Sequence, residues 1–139
     1  MTATENPPAI PAATVILLRD ADAGLETLML HRSSEVAFGG MWVFPGGRVD
    51  DGDRRSDDLD EEAPARRAAI REAIEECALV VDPSEVVAFA HWTPPAQTPR
   101  RYATWFFLAP VAPGEVVVDG SEMIDHRWQP PREVLAQRD

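Results

Sequence analysis

Residues 71–76 read R-E-A-I-E-E, and this stretch decides the fold that we expect. In an α-helix, residues three and four apart are neighbours, so the carboxylates of Glu72, Glu75 and Glu76 share one face. The apolar residues that repeat at helical spacing, on a face that we expect to be opposite and buried, are Ile70, Ala73, Ile74 and Cys77. Like charges so close together destabilise a helix, and Mg²⁺ or Mn²⁺ with oxygen ligands would offset this repulsion. The alternative is an acidic face exposed to water.

Composition and charge limit the kinds of partner. With 139 residues, 45% of them hydrophobic, the chain is long enough for one domain with a buried core. The net charge of −11 argues against a nucleic acid polymer as partner, because phosphate backbones are bound mainly by Lys and Arg. Cys77 is the single cysteine, which excludes an internal disulfide and suits a reducing cytoplasm. The sequence shows no apolar run of membrane-spanning length and no signal sequence, so we expect no membrane partner.

The order of apolar runs and turn residues predicts a mixed domain of the α/β (α+β) class. Residues 1–11 are rich in proline and are expected to be a flexible leader before a domain over residues 12–139. Strands are expected at residues 13–19, 26–32, 41–44, 85–93, 101–108, 116–118 and 126–128. Helices are expected at residues 64–79 and 131–136, each with proline at its start. Before the first helix, residues 50–62 hold eight acidic side chains in thirteen positions, which is typical of a solvated, mobile loop.

The order of these motifs resembles the signature of the Nudix hydrolases, in which a glycine, an acidic residue and R-E-x-x-E-E follow one another. The pair Gly46-Gly47 supplies the glycine, Asp53 stands where the family has Glu, and residues 71–76 supply the helical part. The box spans about residues 47–79, and about ten extra residues, 54–63, separate its two halves. Family members similar to the coenzyme A diphosphatases of peroxisomes carry such an insertion. The resemblance implies an α/β/α sandwich with a central mixed β-sheet.

Two positions depart from the family signature. Ala78 stands where the family has the glycine that ends the helix in a left-handed conformation. We expect either strain at Ala78, on the order of 1 kcal/mol, or a helix that continues for another turn. Asp53 is one methylene shorter than Glu and resembles a supporting residue more than a direct ligand. Neither departure removes a carboxylate of the helix, so we expect an active enzyme.

The resemblance implies a metal-dependent diphosphohydrolase and suggests roles for individual residues. Mg²⁺ or Mn²⁺ would neutralise the diphosphate oxygens and acidify a water. The implied metal ligands are Glu72, Glu75, Glu76 and the backbone carbonyl of Gly47. Arg71 is expected to hold a glutamate in place, with a role as a substrate clamp as the alternative. The first choice for a further catalytic carboxylate is Glu122, ahead of Asp125 and Glu115.

Several arginines and aromatic residues are candidates for substrate recognition. Candidates for phosphate binding are Arg32, Arg100 and Arg101. Candidates for stacking on a ring are Tyr102, Trp92 and Phe38. Each has a structural alternative, as a charge at a strand edge or as a core aromatic residue. Pro94 and Pro95 lie where ADP-ribose-hydrolysing relatives often carry proline, so the expected substrate is a nucleoside diphosphate linked to another group, of the coenzyme A or ADP-ribose type.

Two other classes of function stay open at this point. A Nudix-like module that binds nucleotides without hydrolysing them would lack a ligand carboxylate, and all three are present. An acidic interaction protein would depend on residues 50–62 and would tolerate the loss of Glu72. A homodimer is also open, because the chain ends soon after its last helix and a second copy would then supply substrate contacts.

Overall fold

The computed structural model describes residues 8–36, 39–97, 101–112 and 114–136. Within them the chain forms seven strands, β1 (Ile10–Ala21), β2 (Gly24–Arg32), β3 (Trp42–Val43), β4 (Gly46–Arg48), β5 (Val87–Trp92), β6 (Tyr102–Pro110) and β7 (Met123–Gln129). Helix α1 (Glu62–Cys77) lies between β4 and β5, and helix α2 (Pro131–Ala136) follows β7. Short 3-10 turns at Asp51–Asp53 and Pro83–Glu85 flank α1. Neither of the two described helices has the length and apolar character needed to cross a membrane.

The strands form one mixed sheet, as the sequence predicted. Its order is β3-β2-β1-β6-β5, with β4 paired to β1 and β7 paired to β2. β1 runs parallel to β6, whereas the other described pairings are antiparallel. In the pairing of β4 with β1, Gly46 lies opposite Thr14 and Gly47 lies opposite Ala13. The glycine pair is therefore attached to the central strand of the sheet.

Helix α1 packs on the sheet through small side chains. Its alanines at positions 65, 68, 69 and 73 are each at most 1% exposed and belong to the core formed with β1, β2 and β6. Ala73 and Cys77 are buried and Glu75 is exposed, as predicted. The prediction is wrong for Ile74, which is 47% exposed, and for Glu76, which is 2% exposed. The alanine stripe, which lets the helix approach the sheet closely, is rotated toward Glu76 and away from Ile74.

Both ends of α1 lie two residues earlier than the predicted span of 64–79. The helix begins at Glu62, so Pro64 lies within the first turn, where its missing N–H leaves no helical hydrogen bond unmade. Ala78 is left-handed, with a φ of 61° and a ψ of 26°. The N–H groups of Ala78 and Leu79 donate to the carbonyls of Ile74 and Ala73. The helix thus ends at the position of the signature glycine, with a strained alanine in its place.

The single cysteine is a core residue, as predicted. Cys77 is fully buried, and its Sγ–H donates to the carbonyl of Ala73 at 3.1 Å. Burial raises the pKa of the Cys77 thiol to about 11, so the thiol stays protonated and unreactive near neutral pH.

The opposite face of the sheet carries α2. Side chains alternate along a strand, so Val15 and Phe107 point toward α1, whereas Thr14 and Phe106 point away from it. On that second side, Val134 of α2 lines a space of about 700 Å³ together with Thr14 and Phe106. Helices therefore cover both faces of a mixed sheet, and the predicted α/β/α sandwich is confirmed.

Several boundaries differ from the prediction. β1 begins at Ile10, so residues 10 and 11 belong to the sheet and not to the expected leader; residues 1–7 lie outside the described part. Residues 116–118 do not form a strand, because Val116 and Val118 pack against the core while the Val117 N–H donates to the carbonyl of Cys77. β7 begins at Met123, three residues before the predicted start, and β4 was not predicted because glycine is a poor strand former.

Candidate active site

Glu76 is a buried carboxylate at the contact between α1 and β4. Its Oε1 accepts a hydrogen bond from the backbone N–H of Gly46 at 2.8 Å, whereas its Oε2 is buried and has no hydrogen-bond partner among the described residues. Burial raises the pKa of Glu76 to about 7; the Gly46 N–H opposes this rise and the charge of Glu122 adds to it. A buried carboxylate oxygen without a partner is unfavourable, so the site favours a positively charged occupant.

Glu72 lies directly over Gly47. Its Oε2 occupies the position that a Cβ atom on residue 47 would take, so the glycine leaves room for the carboxylate. Burial, together with the neighbouring carboxyl groups of Glu75 and Glu76, raises the pKa of Glu72 to about 8 against the opposing charge of Arg71. Two carboxylates of α1 therefore face the glycine turn, and both are held in an environment that disfavours their negative charge.

Arg71 joins these glutamates to the segment that precedes the helix. Its Nε and Nη2 donate to the two carboxylate oxygens of Asp53 at 3.0 and 2.9 Å. Its Nη1 donates to Glu72 at 2.6 Å and to Glu75 at 3.0 Å, and Nη2 also donates to the carbonyl of Arg48 at 3.1 Å. The hydrogen bonds to Asp53 raise the pKa of Arg71 above its ordinary value in spite of burial. These contacts favour a role in holding the glutamates over a role as a substrate clamp.

Asp53 supplies the other half of this arrangement. The 3-10 turn at Asp51–Asp53 carries it against α1, where it is 5% exposed. Burial by itself would raise the pKa of Asp53, but the hydrogen bonds from Arg71 and from the N–H of Asp50 together hold that pKa below its usual value. Asp53 is therefore a charged, fully engaged partner of Arg71, which agrees with the supporting role expected for it.

The loop before β7 brings a further carboxylate toward Glu76. Glu122 is exposed, and its negative charge contributes to the raised pKa of Glu76. Asp119 fixes this loop, because its Oδ1 accepts hydrogen bonds at 2.9–3.0 Å from the N–H groups of Ser121, Glu122 and Met123. Asp119 was not among the predicted site residues, although its charge also raises the pKa of Glu76. The Asp-Gly-Ser sequence at residues 119–121 is the turn signal that would have indicated it.

The two alternatives to Glu122 have other surroundings. Asp125 lies in β7 opposite His31 of β2, and its Oδ1 accepts the N–H of His126 at 2.8 Å. Glu115 is an exposed residue in the segment between β6 and β7. Of the three predicted carboxylates, Glu122 is the one among the main charges that raise the pKa of Glu76.

A cleft of about 440 Å³ opens beside the glycine pair. Its lining includes Arg32, Gly46, Gly47 and Tyr102. The positive charge of Arg32 lowers the pKa of Glu76, so its guanidinium lies close enough to act on that carboxylate. The N–H of Ser33, next to Arg32, donates to the carbonyl of Glu122 at 2.7 Å and so joins this end of β2 to the Glu122 loop. The fold thus brings Arg32 and Tyr102 together with the residues of the box.

The other predicted substrate contacts lie elsewhere or outside the described residues. Arg101 immediately precedes β6, and it is not one of the described residues that line the cleft. Trp92 is 59% exposed at the end of β5, which is an edge strand, and it pairs with Thr104. Pro94 and Pro95 follow that strand. Phe38 and Arg100 fall in the parts of the chain that the structure does not describe.

The donor atoms suit a hard divalent cation, although the side chains do not converge on one point. Carboxylate oxygens are the ligands that Mg²⁺ and Mn²⁺ prefer. Within the described ranges, no three side chains of His, Cys, Asp or Glu surround a common position. Arg71 draws Glu72 and Glu75 to itself, and Glu76 is held by Gly46. The unpartnered oxygen of Glu76 is the atom that a cation would satisfy, so the residues present fit the predicted metal.

The acidic run at residues 50–62 is tied to α1 by ion pairs. Arg67 of α1 forms an ion pair with Asp58 at 2.7 Å. Within the run itself, Arg54 forms an ion pair with Glu61 at 3.1 Å. Arg67 also donates to the backbone carbonyl of Asp53 at 2.8 Å. The run is therefore a hydrogen-bonded segment and not the purely solvated loop that composition predicted, because arginines within and after the run neutralise its acids.

The chain is similar to known proteins over nearly its whole length. The NUDIX domain family model matches residues 8–139. Comparison with curated proteins found no match. A solved NUDIX hydrolase from Alicyclobacillus acidocaldarius superposes with a TM-score of 0.79 at 21% sequence identity, and the match covers 94% of this chain and 82% of that one.

Two further solved structures are similar in fold to this chain. The NUDIX domain of Shewanella oneidensis NrtR, complexed with ADP ribose, gives a TM-score of 0.71 at 20% identity and covers 94% of this chain and 78% of that one. An Ap4A hydrolase from C. elegans gives a TM-score of 0.67 at 22% identity, with 92% and 85% covered. At these identities the likeness concerns the fold. The family model, however, spans nearly the whole chain, so the expected class of enzyme, a Nudix pyrophosphohydrolase, is confirmed, and the chain belongs to the NUDIX domain family.

Proposed function

We propose that the protein hydrolyses the diphosphate linkage of a nucleoside diphosphate joined to another group, with Mg²⁺ or Mn²⁺ as cofactor. The observation that carries this proposal is the pair of carboxylates at the glycine turn, where Glu76 has one buried oxygen without a partner and Glu72 lies over Gly47. Negative charge crowded in a buried place is unfavourable unless a cation neutralises it. A divalent cation bound there supplies neutralisation of the diphosphate oxygens and a more acidic water.

The roles that we propose follow from burial and contacts. Glu76 and Glu72 are the principal ligands, supported by Glu75, whose side chain is 55% exposed, and by the carbonyl of Gly47. Arg71 positions Glu72 and Glu75 through its two bonds to them. Glu122 acts as general base, because it is exposed, lies near Glu76 and sits in a loop that Asp119 holds in place.

For the substrate, we propose a compound of the ADP-ribose type first and of the coenzyme A type second. The support for this is that the lining of the cleft includes a guanidinium, from Arg32, and an aromatic ring, from Tyr102, together with Gly46 and Gly47. These groups suit a phosphate and a ring of the same ligand. The ADP ribose complex of the NrtR domain and the Ap4A hydrolase support an adenosine nucleotide. The coenzyme A alternative has its support in the inserted residues 54–63.

The test is to incubate purified protein and Mn²⁺ with ADP-ribose, coenzyme A, Ap4A and nucleoside triphosphates. Hydrolysis is measured as the release of nucleotide products. We expect metal-dependent turnover that falls by more than about 100-fold in Glu76→Gln, a larger loss than removal of a ligand's supporting partner causes. Glu75→Gln is the matched control on the same helix, and we expect a smaller loss because Glu75 is half exposed. Tight nucleotide binding with no turnover of any of these compounds would contradict the proposal and favour a binding module.

We also propose a cytoplasmic homodimer. The buried, protonated Cys77 suits a reducing compartment. The edge strand β5 carries no Asp, Glu, Lys or Arg and exposes Val87, Phe89 and Trp92, so two copies of an acidic chain can meet there with little charge repulsion. Light scattering after size-exclusion chromatography tests the dimer, and a monomer at all concentrations would contradict it.

A further inference from the structure

We propose that Arg67, held by Asp58 of the inserted segment, is a positioning residue for the glutamates that bind metal. This inference rests on the proposed function, because it assigns a task within that same site. It gives the insertion at residues 54–63 a physical role, which the family signature does not provide. A chain of hydrogen bonds leads from the insertion to Glu72.

The first link joins the insertion to α1. Asp58 accepts two hydrogen bonds from the Arg67 guanidinium, at 2.7 and 3.0 Å, and a third at 2.9 Å from the backbone N–H of Arg55. The side chain of Asp58 is 11% exposed and that of Arg67 is 28% exposed. A two-pronged bond between a guanidinium and a carboxylate fixes direction as well as distance. Arg67 is thus held in one orientation along the helix.

The second link joins Arg67 to Asp53. The same Nη1 atom that contacts Asp58 donates to the backbone carbonyl of Asp53 at 2.8 Å. The N–H of Asp53 donates to the carbonyl of Asp50 at 2.9 Å. The backbone of Asp53 is therefore fixed on both sides, and the carbonyl side depends on Arg67.

The third link joins Asp53 to the glutamates. The Asp53 carboxylate takes two hydrogen bonds from Arg71, and Arg71 in turn donates to Glu72 and Glu75. A shift of the Asp53 backbone would change the direction of Arg71 and with it the place of Glu72 over Gly47. Arg67 touches none of the proposed ligands, so it acts through Asp53 and Arg71.

The insertion contains a second ion pair that serves as a matched control. Arg54 bonds to Glu61 in the same segment, and these side chains are 38% and 60% exposed. The described contacts of the Arg54 side chain are with Glu61, and none of them reaches Asp53. Arg54→Ala therefore removes an arginine and an ion pair from the insertion without removing a link in the chain to Glu72.

The experiment measures Mn²⁺ binding by calorimetry, without substrate, for the intact protein and for Arg67→Ala, Arg67→Lys and Arg54→Ala. We expect Arg67→Ala to weaken Mn²⁺ binding about tenfold, at the lower end of the range for residues that support a ligand. Arg67→Lys should recover part of this loss, because an ammonium keeps the charge but lacks the two-pronged fork. Arg54→Ala should change the affinity by less than about twofold, as expected for an exposed ion pair.

A second measurement tests, without metal, whether Arg67 keeps Arg71 in place. The Nε–H signal of Arg71 in ¹H–¹⁵N spectra, identified by its absence in Arg71→Lys, reports whether Arg71 stays bound to Asp53. We expect this signal in the intact protein and in Arg54→Ala, and its loss by exchange in Arg67→Ala.

The outcomes separate the two proposals. Equal Mn²⁺ affinities of Arg67→Ala and Arg54→Ala, or a lower melting temperature of Arg67→Ala with unchanged affinity and an unchanged Arg71 signal, would overturn the positioning role. Failure of the intact protein to bind Mn²⁺ would contradict the proposed function, and the Arg71 signal would still decide whether Arg67 orders Arg71. If Arg67→Ala does not fold, Arg67→Lys carries the same comparison.

Discussion

The two glycines of the turn are required for different reasons. A Cβ atom on Gly46 would meet the backbone carbonyl of Ala13 and would lie 2.9 Å from the Cα of Thr14, neither of which can move without distorting β1. A Cβ atom on Gly47 would instead meet the carboxylate of Glu72, which is the mobile end of a side chain. Gly46 therefore serves the sheet, and Gly47 serves the site.

This difference predicts that substitution of Gly47 mainly affects activity, whereas substitution of Gly46 mainly affects stability. Gly47→Ala should displace the Glu72 carboxylate and lower turnover by about 10–100-fold, with a change in the free energy of unfolding of less than about 1 kcal/mol. Gly46→Ala should lower the free energy of unfolding by about 1–3 kcal/mol, as overpacking does. Denaturant unfolding and steady-state kinetics on both variants check this. Full activity of Gly47→Ala would show that Glu72 is not needed where it lies.

The buried glutamates also predict how stability depends on pH. Burial raises the pKa of Glu72 to about 8 and that of Glu76 to about 7, from an ordinary value of 4.5. Between pH 4.5 and 8 these two glutamates therefore bind more protons in the folded, metal-free protein than in the unfolded chain. The free energy of unfolding consequently falls as the pH rises through this range. We expect the melting temperature of the metal-free protein to fall from pH 5 to pH 8.

A bound cation should act in the opposite direction. It needs ionised carboxylates, so Mg²⁺ should raise the melting temperature more at pH 8 than at pH 6. The control is the double variant Glu72→Gln and Glu76→Gln, in which both the pH dependence and the effect of Mg²⁺ should shrink. Equal pH slopes in the two proteins would assign the effect to the net charge of −11 and not to these glutamates.

At the scale of elements, α1 is placed by small residues and ended by a strained one. The alanine stripe brings the helix close to β1 and β6, and this closeness puts Glu76 within reach of the Gly46 N–H. Ala78 then turns the chain with a φ of 61°, although an L-residue adopts this conformation at a cost of about 1–2 kcal/mol. Burial of the Leu79 side chain offsets this strain, because Leu79 directly follows the turn, is 5% exposed and belongs to the core.

The strained turn predicts a stabilising substitution. Ala78→Gly should raise the free energy of unfolding by about 1 kcal/mol, because glycine adopts the left-handed conformation without the clash of a Cβ atom. This corresponds to a rise in melting temperature of about 4 °C for a domain of this size. The control is Ala63→Gly in the first turn of the same helix, which should lower stability by about 0.5–1 kcal/mol. A melting temperature of Ala78→Gly at or below that of the parent would contradict this account.

At the scale of the whole molecule, the cleft is assembled from segments far apart in sequence. Arg32 ends β2, Gly46 and Gly47 begin β4, and Tyr102 begins β6. They meet because β1 pairs with β2, β4 and β6. The parallel pairing of β1 with β6, in which Ile10 lies opposite Tyr102, places the aromatic ring at the same end of the sheet as the glycine turn.

This assembly predicts a role in binding for the ring of Tyr102. Tyr102→Ala should raise the KM for the best substrate about tenfold with a smaller change in kcat, since stacking of a ring contributes about 0.5–1.5 kcal/mol. Tyr102→Phe is the matched control, because it keeps the ring and removes the hydroxyl, and its KM should stay within about threefold of the parent. A similar KM for Tyr102→Ala and the parent would place the substrate ring elsewhere.

The sequence by itself determined the class of the fold, the family and most of the elements. The run of β-branched residues in β1 is a local signal of a strand, whereas the R-E-x-x-E-E helix and the glycine pair identified the family through their order along the chain. The helix α2 was predicted with the bounds that the structure has, because Pro131 opens it. The contact of Arg71 with a glutamate was expected from the resemblance to the family.

Only the tertiary structure decided which side of α1 is buried, how the cleft is lined and what the insertion does. Periodicity gave equal weight to alanine and isoleucine, so it assigned Ile74 to the core and Glu76 to solvent. The sheet reverses both, because its close contact with the alanines buries Glu76 beside Gly46. Likewise, composition described residues 50–62 as a solvated run, whereas Arg67, on a different element, ties Asp58 and Asp53 to the helix. Burial and charge pairing between distant residues depend on the packed fold, and no local pattern carries that information.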